Sequence, residues 1–283
     1  MTLTGQSRLA GVIGWPVSHS RSPKLHGFWL RQYDIDGAYM ALPVHPGRLG
    51  QALRALPVLG FAGVNITLPH KEAALALVDS ATAAARRIGA VNTVMIDADG
   101  ALRGDNTDGF GFIENLRASL PGWLAQTGPA VLLGAGGSAR AVAAALIEAG
   151  APEIRLVNRT AERARRLAAD IGGPFHTFTW RDTGAALAGA ALLVNTTMLG
   201  MTGQPLLDLD LAPLPIDAVV NDIVYAPLET PLLARARARG HPVVDGLGML
   251  LHQARPGFAA WFGVEPAVSA ELRHFVARDL PPK

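Results

Sequence analysis

The sequence predicts a two-domain α/β protein: an N-terminal α/β domain with a parallel-type sheet, a doubly wound Rossmann domain, and C-terminal helices that return to the first domain. A length of 283 residues suits two domains rather than one. Hydrophobic residues make up 49% of the chain and charged residues 17%, so large cores can form and disorder is excluded. Short apolar runs alternate with amphipathic segments, the pattern of parallel sheets covered by helices.

Nine short apolar runs are predicted as strands: Leu9–Ile13, Gly37–Leu42, Gly63–Ile66, Ala90–Ile96, Ala130–Leu133, Ile154–Val157, Ala191–Val194, Ala218–Val220 and Pro242–Val244. Six amphipathic segments between them are predicted as helices: Pro23–Tyr33, Ala73–Val78, Phe110–Leu120, Ala139–Ala149, Ala161–Ala169 and Leu232–Arg239. From Gly246 onwards the pattern indicates helices only.

Domain boundaries follow from the turns between these segments. A Gly- and Asp-rich turn over residues 103–109 ends the first domain, predicted as 1–107. The strand at Ala130 then opens a self-contained unit, which gives a second domain over 108–241. Residues 242–283 lack a sheet of their own, so we expect these C-terminal helices to pack on the first domain.

Charge and composition exclude several classes of protein. The 25 Lys and Arg residues nearly balance 23 Asp and Glu residues, and a net charge of +2 is too small for a nucleic-acid surface. The absence of cysteine excludes disulfides, iron–sulfur clusters and thiolate zinc sites, and no histidine spacing indicates another metal site. Neither a membrane-spanning run nor a signal-peptide pattern is visible, so we expect a cytoplasmic protein without a membrane partner.

A glycine-rich motif follows the strand that ends at Leu133. It reads G-x-G-x-x-A between a strand and a helix, with a second strand where the dinucleotide-binding unit requires one. The first glycine permits a tight turn, the second lets backbone approach a pyrophosphate, and the helix N-terminus attracts its charge. The predicted phosphate-binding residues are Gly134, Ala135, Gly136, Gly137, Ser138 and Ala139.

The end of the second strand of this unit favours NADP over NAD. An NAD site tends to carry an acidic residue there, whereas this chain has Asn158, Arg159, Thr160 and then Arg163. Two guanidiniums four residues apart suit a 2′-phosphate, because arginine offers planar forked donors. The alternative is a solvated arginine-rich helix in which Glu162 is the internal ion-pair partner.

Four polar segments of the N-terminal half are each expected to follow a strand, where α/β proteins build their sites. They are Pro16–Pro23, Asn65–Lys71, Gly89–Thr93 and Gly104–Gly109. Ser22 before Pro23 also reads as an N-cap followed by proline at the first helical position. Taken singly, each segment is more often a turn or a cap than a site.

Together these segments resemble shikimate dehydrogenase. The resemblance rests on P-x-S-H-S-x-S-P, N-[IV]-T-x-P-x-K, G-A-V-N-T, G-D-N-T-D-G, G-A-G-G-x-x-R, N-R-T and D-G-L-G-M-L, in that order, from Gly14 to Gln253. It implies reduction of 3-dehydroshikimate to shikimate with NADPH, a step of aromatic amino-acid biosynthesis. It also implies a substrate-binding and catalytic role for the first domain and NADP binding for the second.

Residue roles are carried over from this resemblance position by position. The implied catalytic pair is Lys71 and Asp108, because ketone reduction needs a proton donor that Lys71 supplies without a metal. The implied substrate-binding residues are Ser20, Ser22, Thr67, Asn92, Asp108, Tyr225 and Gln253. Besides the glycine motif and the segment from Asn158 to Arg163, the implied cofactor-binding residues are Met198 and Gly246.

Two positions depart from the family pattern. Family members often carry Phe where this chain has His70, and Ser or Ala where it has Met198. Met198 lies near the expected nicotinamide site, so cofactor affinity could differ in this chain. His70 adjoins Lys71, but adjacent residues need not point into the same site, and we do not expect His70 to be catalytic.

Three alternatives share parts of this pattern. A quinate/shikimate dehydrogenase with broader substrate or NAD use would carry an acidic residue in place of the arginines. A non-catalytic NADP-binding sensor on the same fold would be expected to lose Lys71 or Asp108, and this chain keeps both. A reductase acting on a tRNA-linked substrate would need a more basic surface. We expect a small-molecule substrate and a monomer or homodimer.

Overall fold

The chain folds into two compact units, each built around one six-stranded sheet. A computed structural model describes residues 3–280. The first unit contains residues up to Thr107 together with Gln253–Val276, and the second contains Asp108–His252 together with residues 277–280. The second boundary predicted from the sequence lies at 241/242, whereas this division keeps residues 242–252 with the second unit.

The first 107 residues alternate strands and helices. Their elements are β1 (Arg8–Gly14), α1 (Ser22–Gln32), β2 (Gly37–Pro43), α2 (Leu49–Ala55), β3 (Phe61–Ile66), α3 (Lys71–Leu75), β4 (Ser80–Ala81), α4 (Ala83–Ile88), β5 (Thr93–Ile96) and β6 (Leu102–Asp105).

The elements that follow are α5 (Asp108–Ser119), β7 (Ala130–Leu133), α6 (Gly137–Glu148), β8 (Ile154–Val157), α7 (Ala161–Ile171), β9 (Phe175–Phe178), α8 (Thr183–Leu187), β10 (Leu192–Asn195), β11 (Val219–Asp222), α9 (Pro231–Ala238), β12 (Val243–Val244), α10 (Leu247–Phe262) and α11 (Ala270–Ala277). Helix α10 therefore runs across the division at His252 and Gln253.

The sheet of the first unit has the order β2-β1-β3-β5-β6-β4. Strand β1 pairs in parallel with β2 and β3, but β5 runs antiparallel to both of its neighbours, β3 and β6. The sheet is therefore mixed, although the sequence predicted a parallel one. Strand direction was missed because an apolar run carries no sign of the direction in which it pairs.

The sheet of the second unit is parallel throughout, in the order β9-β8-β7-β10-β11-β12. Numbered within the unit, this is the 3-2-1-4-5-6 order of doubly wound dinucleotide-binding folds. The strand order reverses between β7 and β10, the position at which such folds bind their ligand. The predicted Rossmann architecture, and with it the two-domain α/β class, is confirmed.

Buried aromatic residues of α1 and α10 help to hold the C-terminal residues of the first unit in place. Trp29 on α1 and Trp261 on α10 are both almost fully buried. The indole Nε1 of Trp29 donates to the Ala267 carbonyl at 2.9 Å, and that of Trp261 donates to the Val94 carbonyl at 3.1 Å. Each indole thus buries its ring while its N–H is satisfied, which makes these two positions strong anchors.

Within residues 3–280, no helix is long and apolar enough to cross a membrane.

Candidate active site

Polar side chains of the first unit gather at one edge of its sheet. Residues Ser20 and Ser22 follow β1, and Thr67 follows β3 at the same edge. Asn92 precedes β5 rather than following a strand, which corrects the expectation from the sequence. Because β5 is antiparallel, its first residue lies opposite the ends of both neighbours: Thr93 pairs with Asn65 of β3 and with Asp105 of β6.

Ser22 is the first residue of α1 and is not its N-cap. The cap position belongs to Arg21, whose side chain makes no capping hydrogen bond, so the N-cap interpretation of Ser22 is wrong. The Ser22 backbone N–H donates to the Ser20 hydroxyl oxygen at 3.3 Å. The two serines therefore sit together at a helix N-terminus, which is the arrangement that suits an anionic group.

Lys71 begins the short helix α3 directly after the turn that follows β3. Its carbonyl oxygen accepts from the Val91 backbone N–H at 2.9 Å, so the start of α3 is tied to the residue before Asn92. The neighbouring His70 is buried, and its Nε2 donates to the Val44 carbonyl at 2.8 Å. His70 therefore holds the turn in place through a backbone contact, in keeping with the expectation that it is not the acid.

A buried hydrogen-bond network surrounds the carboxamide of Asn92. Its Oδ1 accepts from the backbone N–H of Thr107 at 2.9 Å and from the hydroxyl of Thr93 at 2.9 Å. Its Nδ2 donates to the hydroxyl of Thr107 at 3.2 Å and to Oε1 of Gln253 at 3.5 Å. Two predicted substrate-binding residues that are far apart in the sequence, Asn92 and Gln253, are thus brought into contact.

Asp108 is the first residue of the second unit and of helix α5, and it is largely buried. It directly follows Thr107, the last residue of the first 107-residue segment, whose backbone N–H donates to Asn92. An acidic side chain in the first turn of a helix is favoured by the helix dipole. Its pairing with Lys71 stays a prediction.

The glycine motif of the second unit has the geometry that a pyrophosphate requires. Gly134 follows β7 with φ at +104°, a region that favours glycine, and a Cβ there would lie 2.9 Å from the Thr197 side chain. Around Gly136 and Gly137 an added Cβ would meet no atom within 4 Å, so space is open at the start of α6. Ala139 is fully buried, as close helix packing requires. Ala135 and Ser138 complete the segment.

The arginines of helix α7 and of the turn before it fall into two groups. Arg165 pairs with Glu162 at 3.1 Å, and Arg166 lies 3.9 Å from Asp170. Arg159 and Arg163, by contrast, are exposed and have no ion-pair partner within residues 3–280. Glu162 therefore partners Arg165, and the two arginines predicted to bind a 2′-phosphate remain available.

An open groove in the second unit borders the end of β8. The Nδ2 of Asn158 donates to the Thr160 carbonyl at 2.8 Å and shapes this corner. The groove is lined by Asn158, Arg159, Trp180, Thr197, Met198, Leu199, Gln204, Pro205, Leu206 and Asp208. Only three of these, Asn158, Arg159 and Met198, were identified from the sequence. Trp180 was missed because it follows β9, a strand with no apolar run to reveal it.

The loop that carries Met198 is shaped by a buried carboxylate. Asn195 accepts from the backbone N–H and the hydroxyl of Thr197 at 3.0 and 2.7 Å, and its Nδ2 donates to Asp222 at 3.0 Å. Asp222 also accepts from the Thr230 hydroxyl at 2.7 Å. Burial raises the pKa of Asp222 to about 6, against the opposing effect of these hydrogen bonds.

A close backbone contact requires glycine at position 246. A Cβ at this position would lie 2.1 Å from the Ile223 carbonyl oxygen, so no other residue fits without displacing the chain. This close approach packs the start of α10 against the segment that follows β11, which also carries the partly buried Tyr225. The predicted roles of Gly246 and Tyr225 beside a ligand stay predictions.

Comparisons with known proteins agree on one family. Residues 12–94 match the model of the shikimate dehydrogenase substrate binding domain, and residues 124–200 match that of shikimate / quinate 5-dehydrogenase. The shikimate dehydrogenase (NADP(+)) of Paramagnetospirillum magneticum is 64% identical over 97% of this chain and 99% of its own length. That of Rhodospirillum rubrum is 64% identical over 96% of this chain and 97% of its own length.

Solved structures resemble the whole chain. The shikimate 5-dehydrogenase of Thermus thermophilus, in complex with NADP(H) and shikimate, has a TM-score of 0.83 and 39% identity, covering 97% of this chain and 100% of its own. A quinate dehydrogenase of Corynebacterium glutamicum, in complex with NAD, has a TM-score of 0.88 and 35% identity, covering 95% of this chain and 98% of its own.

Proposed function

The chain belongs to the shikimate dehydrogenase family, and from this premise we propose how its own residues carry out the reaction. It is an NADP-dependent oxidoreductase that interconverts shikimate and 3-dehydroshikimate, a step of aromatic amino-acid biosynthesis. In our proposal the first unit binds the substrate and carries the proton donor, and the second unit binds NADP. The match of residues 12–94 to a substrate binding domain supports this division.

The glycine motif would hold the pyrophosphate of NADP. The open space at Gly136 and Gly137 leaves room for it, and the backbone N–H groups at the start of α6 would donate to its oxygens. Arg159 and Arg163 would grip the 2′-phosphate with forked donors, supported by Asn158 and Thr160. When bound, NADPH supplies the hydride that reduces the ketone. Met198 and Gly246 are assigned to its nicotinamide end.

The substrate would be held by its carboxylate at one end and by its ring hydroxyls at the other. Ser20 and Ser22 at the N-terminus of α1 are the carboxylate-binding residues in this proposal. Thr67, Asn92 and Gln253 would orient the hydroxyls; the contact between Asn92 and Gln253 supports their acting together. Asp108 and Tyr225, both of the second unit, complete the assigned set.

Lys71 would protonate the oxygen of the ketone as the hydride adds to its carbon, and would take that proton back in the reverse direction. Asp108 would hold the Lys71 ammonium and accept a hydrogen bond from a substrate hydroxyl. The observation that carries the assignment is the hydrogen bond from Val91 N–H to the Lys71 carbonyl, which fixes the start of α3 beside Asn92. A lysine needs no metal to stabilise the developing alkoxide.

An activity assay that combines each of two cofactors with each of two substrates tests this function. Reduction of NADP or NAD is followed by absorbance with shikimate or with quinate, in all four combinations. We expect turnover with NADP and shikimate to exceed the other three by at least about tenfold. Binding of NADP without turnover of either substrate would contradict the enzyme assignment and favour a sensor.

The second candidate is a quinate/shikimate dehydrogenase that uses NAD. The structural likeness to a quinate dehydrogenase in complex with NAD favours it. Against it stand Arg159 and Arg163, because NAD has no 2′-phosphate for them to bind. Comparable turnover with NAD and quinate in the same assay would support this candidate.

Location and assembly belong to the proposal as well. We propose a cytoplasmic enzyme that works as a monomer or homodimer on a small-molecule substrate. A chain without cysteine, whose two units each have their own core, is consistent with this. Sedimentation at working concentration distinguishes the two states.

A further inference from the structure

The hydroxyl of Thr93 lies between two buried carboxamides of the first unit. Thr93 is the first residue of β5 and is 1% exposed, and Asn65 on the neighbouring strand β3 is 6% exposed. The Nδ2 of Asn65 lies 3.2 Å from the Thr93 hydroxyl oxygen, and this oxygen lies 2.9 Å from Oδ1 of Asn92. Thr93 thus connects a side chain of the sheet interior with a carboxamide that is assigned to the substrate.

A backbone carbonyl fixes the direction of the hydrogen bonds at Asn65. One of its carboxamide atoms lies 3.1 Å from the Asn92 carbonyl oxygen, which can only accept, so this atom is the amide nitrogen. The other atom, Oδ1, accepts from the Tyr39 hydroxyl at 2.7 Å. Both polar atoms of the Asn65 side chain therefore have partners, and the Thr93 hydroxyl oxygen accepts from a donor that is itself held in place.

A backbone N–H fixes the direction of the hydrogen bonds at Asn92. The Thr107 N–H can only donate, so the carboxamide atom at 2.9 Å from it is the oxygen, Oδ1. The Thr93 hydroxyl lies 2.9 Å from the same oxygen and must donate to it; the Thr107 hydroxyl is farther from Thr93, at 3.3 Å. The atom of Asn92 that approaches Gln253 is consequently the amide nitrogen, at 3.5 Å from Oε1.

The hydroxyl of Thr107 requires the same orientation of Asn92. Its hydrogen is used for the Gln253 carbonyl oxygen at 2.8 Å, because a carbonyl oxygen can only accept. The Thr107 hydroxyl oxygen must then accept from Asn92 at 3.2 Å, and in that carboxamide only Nδ2 can donate. Groups on both sides of the Asn92 carboxamide therefore agree on which of its atoms faces which way.

We propose that Thr93 is a positioning residue for substrate recognition: its hydroxyl, held by Asn65, keeps Oδ1 of Asn92 turned towards the protein, so that Asn92 offers an N–H group to an acceptor oxygen on the substrate ring. The inference rests on the proposed function, because it takes Asn92 as a substrate-binding residue. Thr93 acts through Asn92 and does not contact the ligand.

An N–H donor at this place suits both forms of the substrate. A ring hydroxyl and a ketone oxygen can each accept from Nδ2, whereas an outward-facing Oδ1 would bind hydroxyls alone. Binding would leave the hydrogen bonds of Oδ1 intact, because the ligand oxygen would approach Nδ2 on the side of Gln253. The bond from Thr93 to Asn92 is thus the same in the free and the bound protein.

The test is the variant Thr93→Val, which replaces the hydroxyl by a methyl group of similar size. Oδ1 of Asn92 then loses one of the donors that hold it, so we expect KM for shikimate to rise about three- to tenfold, the effect of one hydrogen bond. The kcat should stay within about threefold and KM for NADP within about twofold. The pH profile should keep its shape, because neither Thr93 nor Asn92 titrates.

Two further variants separate positioning from packing. Thr93→Ser keeps the hydroxyl and should keep KM for shikimate within about twofold of the natural chain; a KM as high as that of Thr93→Val would overturn the inference. Thr82→Val is the matched control, because the Thr82 hydroxyl donates to Asp105 at 2.6 Å, outside this series. It should lower stability without changing KM. If Thr93→Val does not fold, Thr93→Ala removes the same hydroxyl without adding a methyl group in its place.

A double-mutant cycle separates this inference from the proposed function. Asn92→Ala alone should raise KM for shikimate, and adding Thr93→Val to it should change KM by less than about twofold. A Thr93→Val effect that is absent, or that is undiminished in the Asn92→Ala background, overturns the inference while the function stands. An unchanged KM in Asn92→Ala overturns the Asn92 assignment and the inference with it.

Analogues of shikimate that each lack one ring hydroxyl identify the oxygen that faces Asn92. For one of these analogues, the dissociation constant should be the same within about twofold in the natural chain and in Thr93→Val. For the others, Thr93→Val should weaken binding as it does for shikimate. Equal weakening for every analogue would show a general loss of structure and would overturn the inference.

Discussion

His70 shows how a residue beside the candidate acid can be structural. It is buried, and its Nε2 donates to the Val44 carbonyl at 2.8 Å. His70→Phe should leave kcat within about threefold, because the side chain is buried and its Nε2 is used by the Val44 carbonyl. It should lower the free energy of unfolding by about 1–2 kcal/mol, since the Val44 carbonyl loses its buried donor. Steady-state kinetics and denaturant unfolding of one preparation measure both, and loss of turnover in a folded variant would contradict the assignment.

The residues that could be found from the sequence are those that sit in local motifs. Gly134 and Arg159 belong to a strand–turn–helix pattern with a known ligand geometry, and the structure has the conformation that this pattern requires. Gln253 gave no local signal and entered only through the family resemblance; its contact with Asn92 depends on tertiary folding. Trp180 was missed both because it follows a strand without an apolar run and because a groove assembled from distant segments has no spacing in the sequence.

Among the elements, α7 and the turn before it carry the two arginines that are predicted to select the cofactor. Removing Arg159 and Arg163 together should raise KM for NADP by about 100-fold or more, at roughly 1.5–3 kcal/mol for each charge-assisted bond. KM for NAD should change less than about threefold, because NAD has no 2′-phosphate. The double variant Arg165→Ala/Arg166→Ala is the control, since those arginines belong to the same helix but lie beside Glu162 and Asp170. Equal losses for the two cofactors would contradict the account.

The elements also show where the sequence was insufficient. The buried core strands were predicted because they are apolar runs bounded by turns, as in Ala130–Leu133. The edge strand β9, Phe-His-Thr-Phe, has two adjacent exposed polar residues between two partly buried aromatic ones and was missed, and β4 is only two residues long. The antiparallel direction of β5 is set by its pairing partners. The hydrophobic periodicity of a strand indicates which of its residues are buried, but not the direction of the strand or the strand with which it pairs.

At the scale of the whole molecule, His26 in the first unit makes stability depend on pH. Burial lowers its pKa from 6.5 to about 3. Between these two pH values His26 is therefore protonated in the unfolded state and neutral in the folded state. Stability should therefore be lost as pH falls below 6.5, by about 2 kcal/mol between pH 7 and pH 5. His26→Phe keeps an aromatic ring against Tyr39 and should remove this loss. Unfolding at the two pH values measures it, with the exposed His176→Gln as control; an unchanged difference would contradict it.

Asp222 in the second unit changes the stability in the opposite direction as the pH falls. Its pKa is raised from 3.8 to about 6, so the folded state binds a proton more tightly than the unfolded state. Protonation of Asp222 should therefore add about 1 kcal/mol between pH 7 and pH 5, a gain that is absent above pH 6. Asp222→Asn keeps an acceptor for Asn195 and Val224 and should remove this contribution. Between pH 7 and pH 5, the free energy of unfolding of the variant should therefore fall by about 1 kcal/mol more than that of the natural chain. Calorimetry of both proteins at the two pH values measures this, and equal changes in the two proteins would refute the prediction.

In the proposed mechanism, Lys71 supplies the proton as hydride is transferred. The most direct measurement is the rate of a single turnover of Lys71→Ala with saturating NADP and shikimate, followed by the absorbance of the reduced cofactor. Lys24→Ala is the matched control, because Lys24 is also in the first unit but lies over the Phe275 ring. We expect a rate lower by about 10²–10⁴, with the dissociation constant of shikimate changed only a few-fold. A rate within about threefold of the natural chain would contradict it.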